Sequence, residues 1–455
     1  MMKVHAGKSA AYCDGVSRRS FLQVGLAGMG SLSLASILRA KESSPNAKNT
    51  SVILLWLDGG PSQHDTYDPK PEAPREYAGI WNPIKTVVPG MDISEMFPLQ
   101  AKVADKFSIL RSVHHNAGDH FTGAHWMLTG RGGVNGAMNA GKSPFFGSVA
   151  TKLVGARQAG MPPFVSVPYG MSVGLRPGYF GGHYLGNQYD PFNTGGDPNA
   201  STFKVDNLTL PKELTISRLA DRRNLQQHFD GLRRYADVTK EFENLDQFEQ
   251  QAFELVTGDK ARLAFDIEAE SPELRDQYGR NTWGQSTLLA RRLVEAGTTF
   301  VTCHFGGWDS HWNHQTTMER HLPKVDQAVS ALFTDLDNRG LLDDVLVIVM
   351  GEFGRSPKMN NGGNGGPPLS KGTPGRDHWG NAMSVLMGGG GLKGGQVVGS
   401  TNRLGESPAT RPIRPGDIHH TIFNVLGIDP NIAFNDHTGR PIVAIDHGKV
   451  ISELL

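Results

Sequence analysis

Short, continuous apolar runs recur along the chain and are separated by longer segments. The clearest run, SVILLWL at 51–57, contains β-branched residues at its start and is followed directly by Asp-Gly-Gly. Such a run is typical of a strand that is buried on both faces of a parallel sheet. Similar runs predict further strands at 107–113, 163–167, 299–305, 345–350 and 383–387.

Segments with helical periodicity lie between these runs. They predict helices at 213–236, 240–257, 282–296 and 318–339. The first two belong to a charged block at about 205–280, which we interpret as a helical insertion. Alternating strands and helices predict an α/β fold, with a doubly wound, mostly parallel sheet and helices on both faces.

The first 40 residues have the pattern of an export signal. Arg18 and Arg19 precede Phe, Leu and a weakly apolar segment broken by Gly and Ser, as in twin-arginine signals. We therefore predict a signal peptide over residues 1–40, a domain over residues 41–455, and a periplasmic or extracellular location. An N-terminal membrane anchor is the alternative reading, because the apolar segment is just long enough to span a bilayer. No integral membrane span is predicted in the mature chain.

Composition excludes some classes of partner and cofactor. The 45 basic residues balance the 45 acidic residues, so charge gives no reason to expect a nucleic-acid partner. The two cysteines are Cys13, in the predicted signal, and Cys303, so the domain must be stable without an internal disulfide. A redox protein is disfavoured, because no cysteine cluster, haem motif or strand-linked Gly-x-Gly-x-x-Gly is present.

Carboxylate and imidazole side chains follow several predicted strands at the same end. Ligands in such sheets bind beyond the carboxyl ends of the strands, so these side chains are expected to converge. Taken singly, each has an ordinary explanation as a helix cap or a hydrogen-bonded histidine. Together they predict one or two divalent metal ions, zinc as the first choice and manganese, magnesium or calcium as alternatives. The candidate ligands are Asp58, Asp309, His311, Glu352 and His378.

The segment HFGGWDSHWNH at 304–314 is the densest of these clusters. Asp309 and His311 could both reach one ion from an extended turn after the strand. His314 is a further candidate if the loop continues into a helix. His304 lies too early in the segment and is expected to pack within the strand.

A candidate nucleophile lies in GDHFTGAHWMLTGR at 118–131, which follows a strand and begins a helix. The helix N-terminus would attract an anion through its free N–H groups. Two alternatives stay open: the Thr122 hydroxyl attacks, or His120 is a metal ligand and water attacks. Three arginines could bind a negatively charged substrate, namely Arg131, Arg355 and Arg376.

The combined order of motifs resembles the alkaline phosphatase and sulfatase superfamily. MLTGR at 127–131 is similar to the end of the sulfatase nucleophile motif, and GDIHHTIFNVLGID at 416–429 is similar to a C-terminal sulfatase helix. Four motifs resemble more closely an uncharacterised, sulfatase-like family of twin-arginine-exported bacterial proteins within that superfamily: DGGPSQHDTYDPKP (58–71), GGWDSH (306–311), GEFGRSP (351–357) and GRDHW (375–379).

The resemblance implies an alkaline phosphatase-like fold and a metal-dependent hydrolase of phosphate or sulfate esters, on a small-molecule or polysaccharide substrate. Counting back nine residues from Thr129 places His120 at the nucleophile position, so a formylglycine-type sulfatase is not expected. Asn313 stands where the superfamily usually has His, and Glu352-Phe353 replaces an Asp-His pair. These departures keep a second interpretation open, a binding or scaffold protein that retained the fold and lost the chemistry.

Overall fold

A computed structural model describes residues 49–132, 143–205, 208, 255, 258–362 and 372–455. Its strands are β1 (Ser51–Leu57), β2 (Pro83–Lys85), β3 (Asp92–Ser94), β4 (Phe107–Val113), β5 (Phe164–Val167), β6 (Phe192–Asn193), β7 (Phe300–Phe305), β8 (Val345–Met350), β9 (Gly354–Arg355), β10 (His378–Trp379), β11 (Met383–Gly389), β12 (Val397–Val398), β13 (Ser400–Thr401), β14 (Pro408–Thr410), β15 (Ala433–Asn435) and β16 (Pro441–Val443). The described α-helices are α1 (His120–Thr129), α2 (Phe146–Val154), α3 (Asp259–Phe265), α4 (Pro272–Tyr278), α5 (Thr282–Glu295), α6 (His314–Asn338) and α7 (Pro415–Leu426). Turns of 3₁₀ helix lie at Gln100–Lys106, Gly178–Phe180, His183–Leu185, Asn187–Tyr189, Ile267–Ala269, Leu342–Asp344 and Ser452–Leu454.

The central sheet has eight strands in the order β12-β4-β11-β8-β1-β7-β5-β6. Strand β1 lies at its middle and pairs in parallel with β7 and β8. Strand β11 is antiparallel to both of its neighbours, β4 and β8. The other described pairings within this sheet are parallel. The predicted α/β class, the mostly parallel sheet and the six predicted strands are confirmed.

Helices cover both faces of this sheet because side chains alternate along each strand. Ile53 and Leu55 of β1 belong to an apolar cluster with α5 and α6. Leu54 and Trp56 point the other way, into a second cluster with α1, α2 and α7. Every residue of β1 is buried, as expected of a strand packed on both faces.

The predicted helices at 282–296 and 318–339 correspond to α5 and α6, although α6 begins earlier, at His314. The predicted helices at 213–236 and 240–257 lie largely outside the described residues, and so does the predicted signal at 1–40. Two short helices from the end of the predicted insertion, α3 and α4, pack on the same apolar cluster as α5. No helix in the described part of the chain is long and apolar enough to span a membrane.

The sheet topology brings the polar segments together at one edge. Strands β1, β4, β7 and β8 are parallel and end at this edge, so the residues after each strand are neighbours in space. Strand β11 runs the other way and begins there, so the segment before it approaches the same edge. Contacts between these segments then decide which side chains point inward.

Candidate functional site

Asp309 lies at the centre of a cluster of imidazoles. Its Oδ1 atom is 3.0 Å from His311 Nε2 and 3.1 Å from His378 Nε2, and its Oδ2 atom is 3.3 Å from His120 Nε2. Ligand atoms of His120, Asp309 and His378 all lie within 4.8 Å of one another. Three segments that are distant in sequence therefore present nitrogen and oxygen atoms to one point.

The outer nitrogen of each imidazole is held by a separate acceptor. His120 Nδ1 is 2.6 Å from Glu352 Oε1, and His311 Nδ1 is 2.7 Å from Asp377 Oδ1. His378 Nδ1 is 2.9 Å from the carbonyl oxygen of Gly118. A neutral imidazole that donates through Nδ1 keeps a lone pair on Nε2. The three Nε2 lone pairs then converge beside a carboxylate, which is the arrangement of a cation site.

The charges in this cluster reinforce one another. Burial alone would raise the pKa of Asp309, but hydrogen bonds from His120, His311 and His378 and the charge of Arg355 hold it well below its usual range. Burial alone would lower the pKa of His120, whereas its hydrogen bonds to Asp309 and Glu352 raise it to about 9. A proton or a metal ion can thus occupy the same position at His120 Nε2, and the two compete for it.

A glycine brings the β1 and β7 loops into contact. Gly59, directly after Asp58, has φ of +114°, and a Cβ atom there would collide with the backbone nitrogen of Asp309. Its own N–H donates to Glu352 Oε1 at 2.9 Å, and its carbonyl oxygen accepts from the Arg355 guanidinium. The Asp-Gly-Gly after β1 is therefore needed for close approach of the loops as well as for a turn.

Asp58 lies at the same edge of the sheet, but it does not contact the imidazoles that surround Asp309. Its Oδ2 atom accepts from the backbone N–H of Val173 at 2.7 Å and lies 2.9 Å from His304 Nε2. His304 lies within β7, as predicted, but its side chain also contacts Asp58, which the sequence did not predict. Residue His304 pairs with Trp56 across β1 and β7, two positions from Asp58, so its side chain can reach over the strand end.

Glu352 is completely buried and has an unpaired oxygen. Burial raises the pKa of Glu352, the charge of Asp58 raises it further, and the hydrogen bond with His120 opposes this. Neither Glu352 Oε2 nor Asp58 Oδ1 has a hydrogen-bond partner among the described residues, although both atoms are buried. Two buried carboxylates with unpaired oxygens are costly unless a cation compensates them. The donor set at Asp309 therefore fits a divalent cation, whereas Asp58 and Glu352 each have a buried oxygen for which the described residues supply no donor.

Arg355 does not have the position expected of a substrate-binding residue. Its side chain is completely buried, and its donors are bonded to Asp309 Oδ1 at 2.7 Å and to carbonyl oxygens of Gly60 and Arg376. The prediction that Arg355 binds a negatively charged substrate is therefore corrected, because a completely buried guanidinium with these partners is not accessible to an anion. Its structural role is to fix Asp309. Arg131 is also paired elsewhere, with Asp446.

Of the two candidate catalytic residues in this segment, Thr122 and His120, His120 faces the cluster. Both lie in the first turn of α1, where Asp119 caps the helix by accepting from the Thr122 N–H at 3.0 Å. Residues two apart on a helix point to different sides, and His120 takes the side facing Asp309. No hydrogen bond joins the Thr122 hydroxyl to the cluster within the described part of the chain. Its role as nucleophile stays a prediction.

His314, the further candidate ligand, belongs to a buried network behind the site. Its Nε2 atom is 2.8 Å from Asp65 Oδ2, and its Nδ1 atom is 2.7 Å from the Ser310 hydroxyl. Asp65 also accepts from Arg376 Nε at 3.1 Å and from the N–H of Ile80 at 2.8 Å. Asp65, His314 and Arg376 are completely buried. The network joins the loop of Asp309 to the segment of His378, so His314 supports the site from behind.

Phe353 packs against two imidazoles of the cluster at Asp309. Its ring packs 4.4 Å from the ring of His378 and 5.2 Å from that of His120, measured between centroids. This packing restricts the orientation of both imidazoles. Phe353 therefore contributes packing, and no ligand atom, beside Asp309.

Sequence reasoning missed three residues that hold the ligands in place, namely Asp377, His304 and Asp65. Asp377 immediately precedes His378, so the sequence predicts that it lies near the site. Its pairing with His311 depends on how two loops fold against each other. Asp65 lies in the conspicuous polar segment PSQHD at 61–65. The strand-end rule gave no reason to examine it, because it lies beyond the first turn after β1.

Several solved structures are similar to the chain at low sequence identity. A sulfatase from Pseudoalteromonas sp. shows 13% identity over 89% of this chain and 72% of its own, with a TM-score of 0.34. The alkaline phosphatase of the Antarctic bacterium TAB5 shows 13% identity over 84% and 99%, with a TM-score of 0.38. An alkaline phosphatase superfamily protein from Vibrio parahaemolyticus shows 11% identity over 84% and 67%, with a TM-score of 0.36.

Similarity at this level assigns no activity to this chain, and no curated protein sequence matches it significantly. The family comparison is stronger, because one family model covers nearly the whole domain. It matches residues 49–455 and therefore includes every strand end that contributes to the site. The chain belongs to the DUF1501 family, described as proteins of unknown function.

Proposed function

We propose that this protein is an exported, metal-dependent hydrolase of phosphate or sulfate esters. The observation that supports it is the convergence of three imidazole Nε2 atoms on Asp309, each imidazole held through Nδ1 by its own acceptor. Four side chains would hold one divalent ion, zinc as the first choice: His120, Asp309, His311 and His378. Asp58 and Glu352 would hold a second ion, with fewer ligands.

A divalent cation at this position supplies Lewis acidity, which polarises an ester oxygen and offsets charge on the leaving group. The chain supplies the geometry. Glu352 and Asp309 fix the His120 ring between them, and the Arg355 guanidinium fixes Asp309. The N-terminus of α1 adds backbone N–H groups beside His120, where a tetrahedral anion would be stabilised. Two nucleophiles stay possible for attack on the ester: a water molecule, with His120 as a metal ligand, or the Thr122 hydroxyl.

The first test is metal content and turnover of the purified protein. We expect close to one equivalent of a divalent metal by plasma mass spectrometry, and hydrolysis of p-nitrophenyl phosphate or p-nitrophenyl sulfate. Dialysis against a strong chelator should abolish the hydrolysis, and the returned metal should restore it. Metal below trace level in protein that has been refilled with zinc, manganese or magnesium would refute the site.

A binding or scaffold protein is the second candidate, and the packing of Phe353 on two of the proposed ligands favours it. In that case the protein would hold one metal ion at Asp309 and would not turn over either ester. The same two measurements distinguish the candidates, because metal with turnover supports the hydrolase and metal without turnover supports the binding protein.

His304 should act on metal affinity through Asp58. Replacing His304 with Gln removes the imidazole that lies 2.9 Å from Asp58 Oδ2. Loss of such an outer partner typically lowers metal affinity by about 10–100-fold. Competition with a chromogenic chelator would measure this for the second equivalent of metal. His437→Gln, at an exposed position, is the matched control and should leave both affinities unchanged. Equal affinities in His304→Gln and wild type would contradict the role of His304.

A further inference from the structure

A cavity lies against the segment that connects β4 to α1. Its volume is about 260 Å³, and it does not include any of the proposed metal ligands. Its lining combines one aromatic ring, two carboxamides, a guanidinium and imidazole. These groups belong to His114, Asn116, Trp126, Asn381 and Arg414.

The polar groups of this cavity are available to a ligand. Asn116, Asn381 and Arg414 are exposed, and their side chains have no hydrogen bond or ion pair with the described residues. His114 Nε2 is enclosed and likewise has no partner among them. Asp417, the nearby acid, accepts from the backbone N–H of Arg414 and of Lys449, at 2.9 and 2.8 Å. The Arg414 guanidinium is therefore not neutralised by an ion pair within this part of the structure.

The aromatic wall of the cavity is held in a fixed orientation. The Trp126 ring is parallel to the ring of His115 within 4°, at 6.4 Å between centroids, and the His447 ring meets it edge-on at 5.9 Å. His115 is itself fixed, since Nε2 is 2.6 Å from the Glu352 carbonyl oxygen and Nδ1 accepts from the N–H of Ala117. A rigid indole beside unpaired polar groups is typical of a small-molecule site.

Two elements connect this cavity to the proposed metal site. Trp126 follows His120 by six residues on α1, which corresponds to roughly 9 Å along the helix axis. Asn381 follows His378 by three residues, between β10 and β11. The cavity and the proposed metal site are thus connected through α1 and through the segment between β10 and β11.

We propose that this cavity is a subsite for an acidic sugar, a saccharide unit that bears a carboxylate or sulfate. The apolar face of a pyranose ring would pack on Trp126, and its hydroxyls would bond to Asn116, Asn381 and His114. Arg414 would bind the acidic substituent, because a guanidinium matches the geometry of a carboxylate or sulfate. This inference rests on the proposed ester hydrolase and names its substrate class, an acidic polysaccharide.

The test measures saccharide binding separately from turnover. The full chain is applied to an array of sulfated, uronic acid-containing and neutral saccharides, and the best acidic binder is titrated into protein labelled with 5-fluorotryptophan. The fluorine spectrum contains seven tryptophans, and Trp126→Phe assigns the resonance of interest. We expect that resonance to shift saturably, and Arg414→Gln to weaken the affinity at least tenfold. Asp343→Asn, exposed in the turn before β8, is the control and should bind like wild type.

Several results would overturn the subsite. They are an array without acidic binders, equal affinity for matched neutral saccharides, and an affinity unchanged in both Arg414→Gln and Trp126→Phe. Arg414 is exposed, so its replacement is not expected to disturb folding. Asp309→Ala should still show the fluorine shift, because it lies outside the cavity. A saccharide-dependent shift of the Trp126 resonance without ester hydrolysis would support the subsite and reject the hydrolase. Ester hydrolysis without this shift would support the hydrolase and reject the subsite.

Discussion

Asp309→Ala is expected to reduce the metal content from about one equivalent to trace and to lower ester hydrolysis by more than about 100-fold. Loss of a residue that only supports a ligand lowers metal affinity or activity by up to about 100-fold, and loss of a direct ligand should have a larger effect. Among the residues that the structure describes, Asp309 is the carboxylate that approaches all three converging imidazoles. Its removal also leaves the buried Arg355 guanidinium without its counter-charge. The remaining cluster of imidazoles beside a cationic arginine would repel a metal ion.

Metal analysis and ester hydrolysis of Asp309→Ala should therefore fall together. Asp309→Asn keeps the shape of the side chain and one oxygen, so retention of folding with loss of metal would separate ligation from packing. Asp343→Asn serves as the matched control, because it removes a carboxylate at an exposed turn far along β8 from the site. Unchanged metal occupancy in Asp309→Ala would show that Asp309 is not a ligand.

Asp65→Asn is expected to lower the free energy of unfolding by about 3–5 kcal/mol, the usual cost of removing one partner from a buried ion pair. The carboxylate of Asp65 accepts from Arg376, His314 and Ser62, and all of these partners are buried. Asparagine keeps one acceptor but leaves the Arg376 guanidinium charged and unpaired. The loop that presents Asp309 and the segment that presents His378 would both lose their support.

The destabilisation should depend on pH in a defined direction. Burial alone would raise the pKa of Asp65, but the charge of Arg376 and the hydrogen bond from His314 hold it well below its usual range. A carboxyl group whose pKa is lowered on folding contributes stability above its unfolded pKa, about 3.9, and loses it as the pH falls further. The difference between wild type and Asp65→Asn should therefore be constant near neutral pH and shrink below about pH 4.

Urea unfolding of both proteins between pH 7 and the lowest pH at which they fold would measure this dependence. Metal content should be measured on the same samples at a temperature where Asp65→Asn is fully folded. We expect weaker metal binding even then, because Ser310 and Arg376 lose their anchor. A stability difference below about 1 kcal/mol at pH 7, or one that grows as the pH falls, would contradict the buried-pair interpretation.

The α/β class and the strands were readable from the sequence because they depend on local pattern. A run such as 51–57 has no polar residue after Ser51, so it is expected to be a strand or helix buried on all sides, and its length favours a strand. The rule that ligands gather beyond strand ends then predicted that Asp58, Asp309, His311, Glu352 and His378 lie at one edge of the sheet, and their role as metal ligands stays a prediction. Strand ends are fixed by sequence position, and a parallel sheet aligns them.

The partners of each candidate were decided only by the tertiary structure. Asp58 and Asp309 follow adjacent strands and were equivalent by sequence, yet Asp58 pairs with His304 and Val173 while Asp309 meets three imidazoles. Arg355 and His314 had suitable chemistry, but their side chains point into the protein, where burial and buried counter-charges fix them. Which way a loop side chain points depends on contacts between loops distant in sequence, such as the approach of Gly59 to Asp309. The sequence by itself therefore determined which residues gather at this edge of the sheet, and only the folded loops decided which of them face one another.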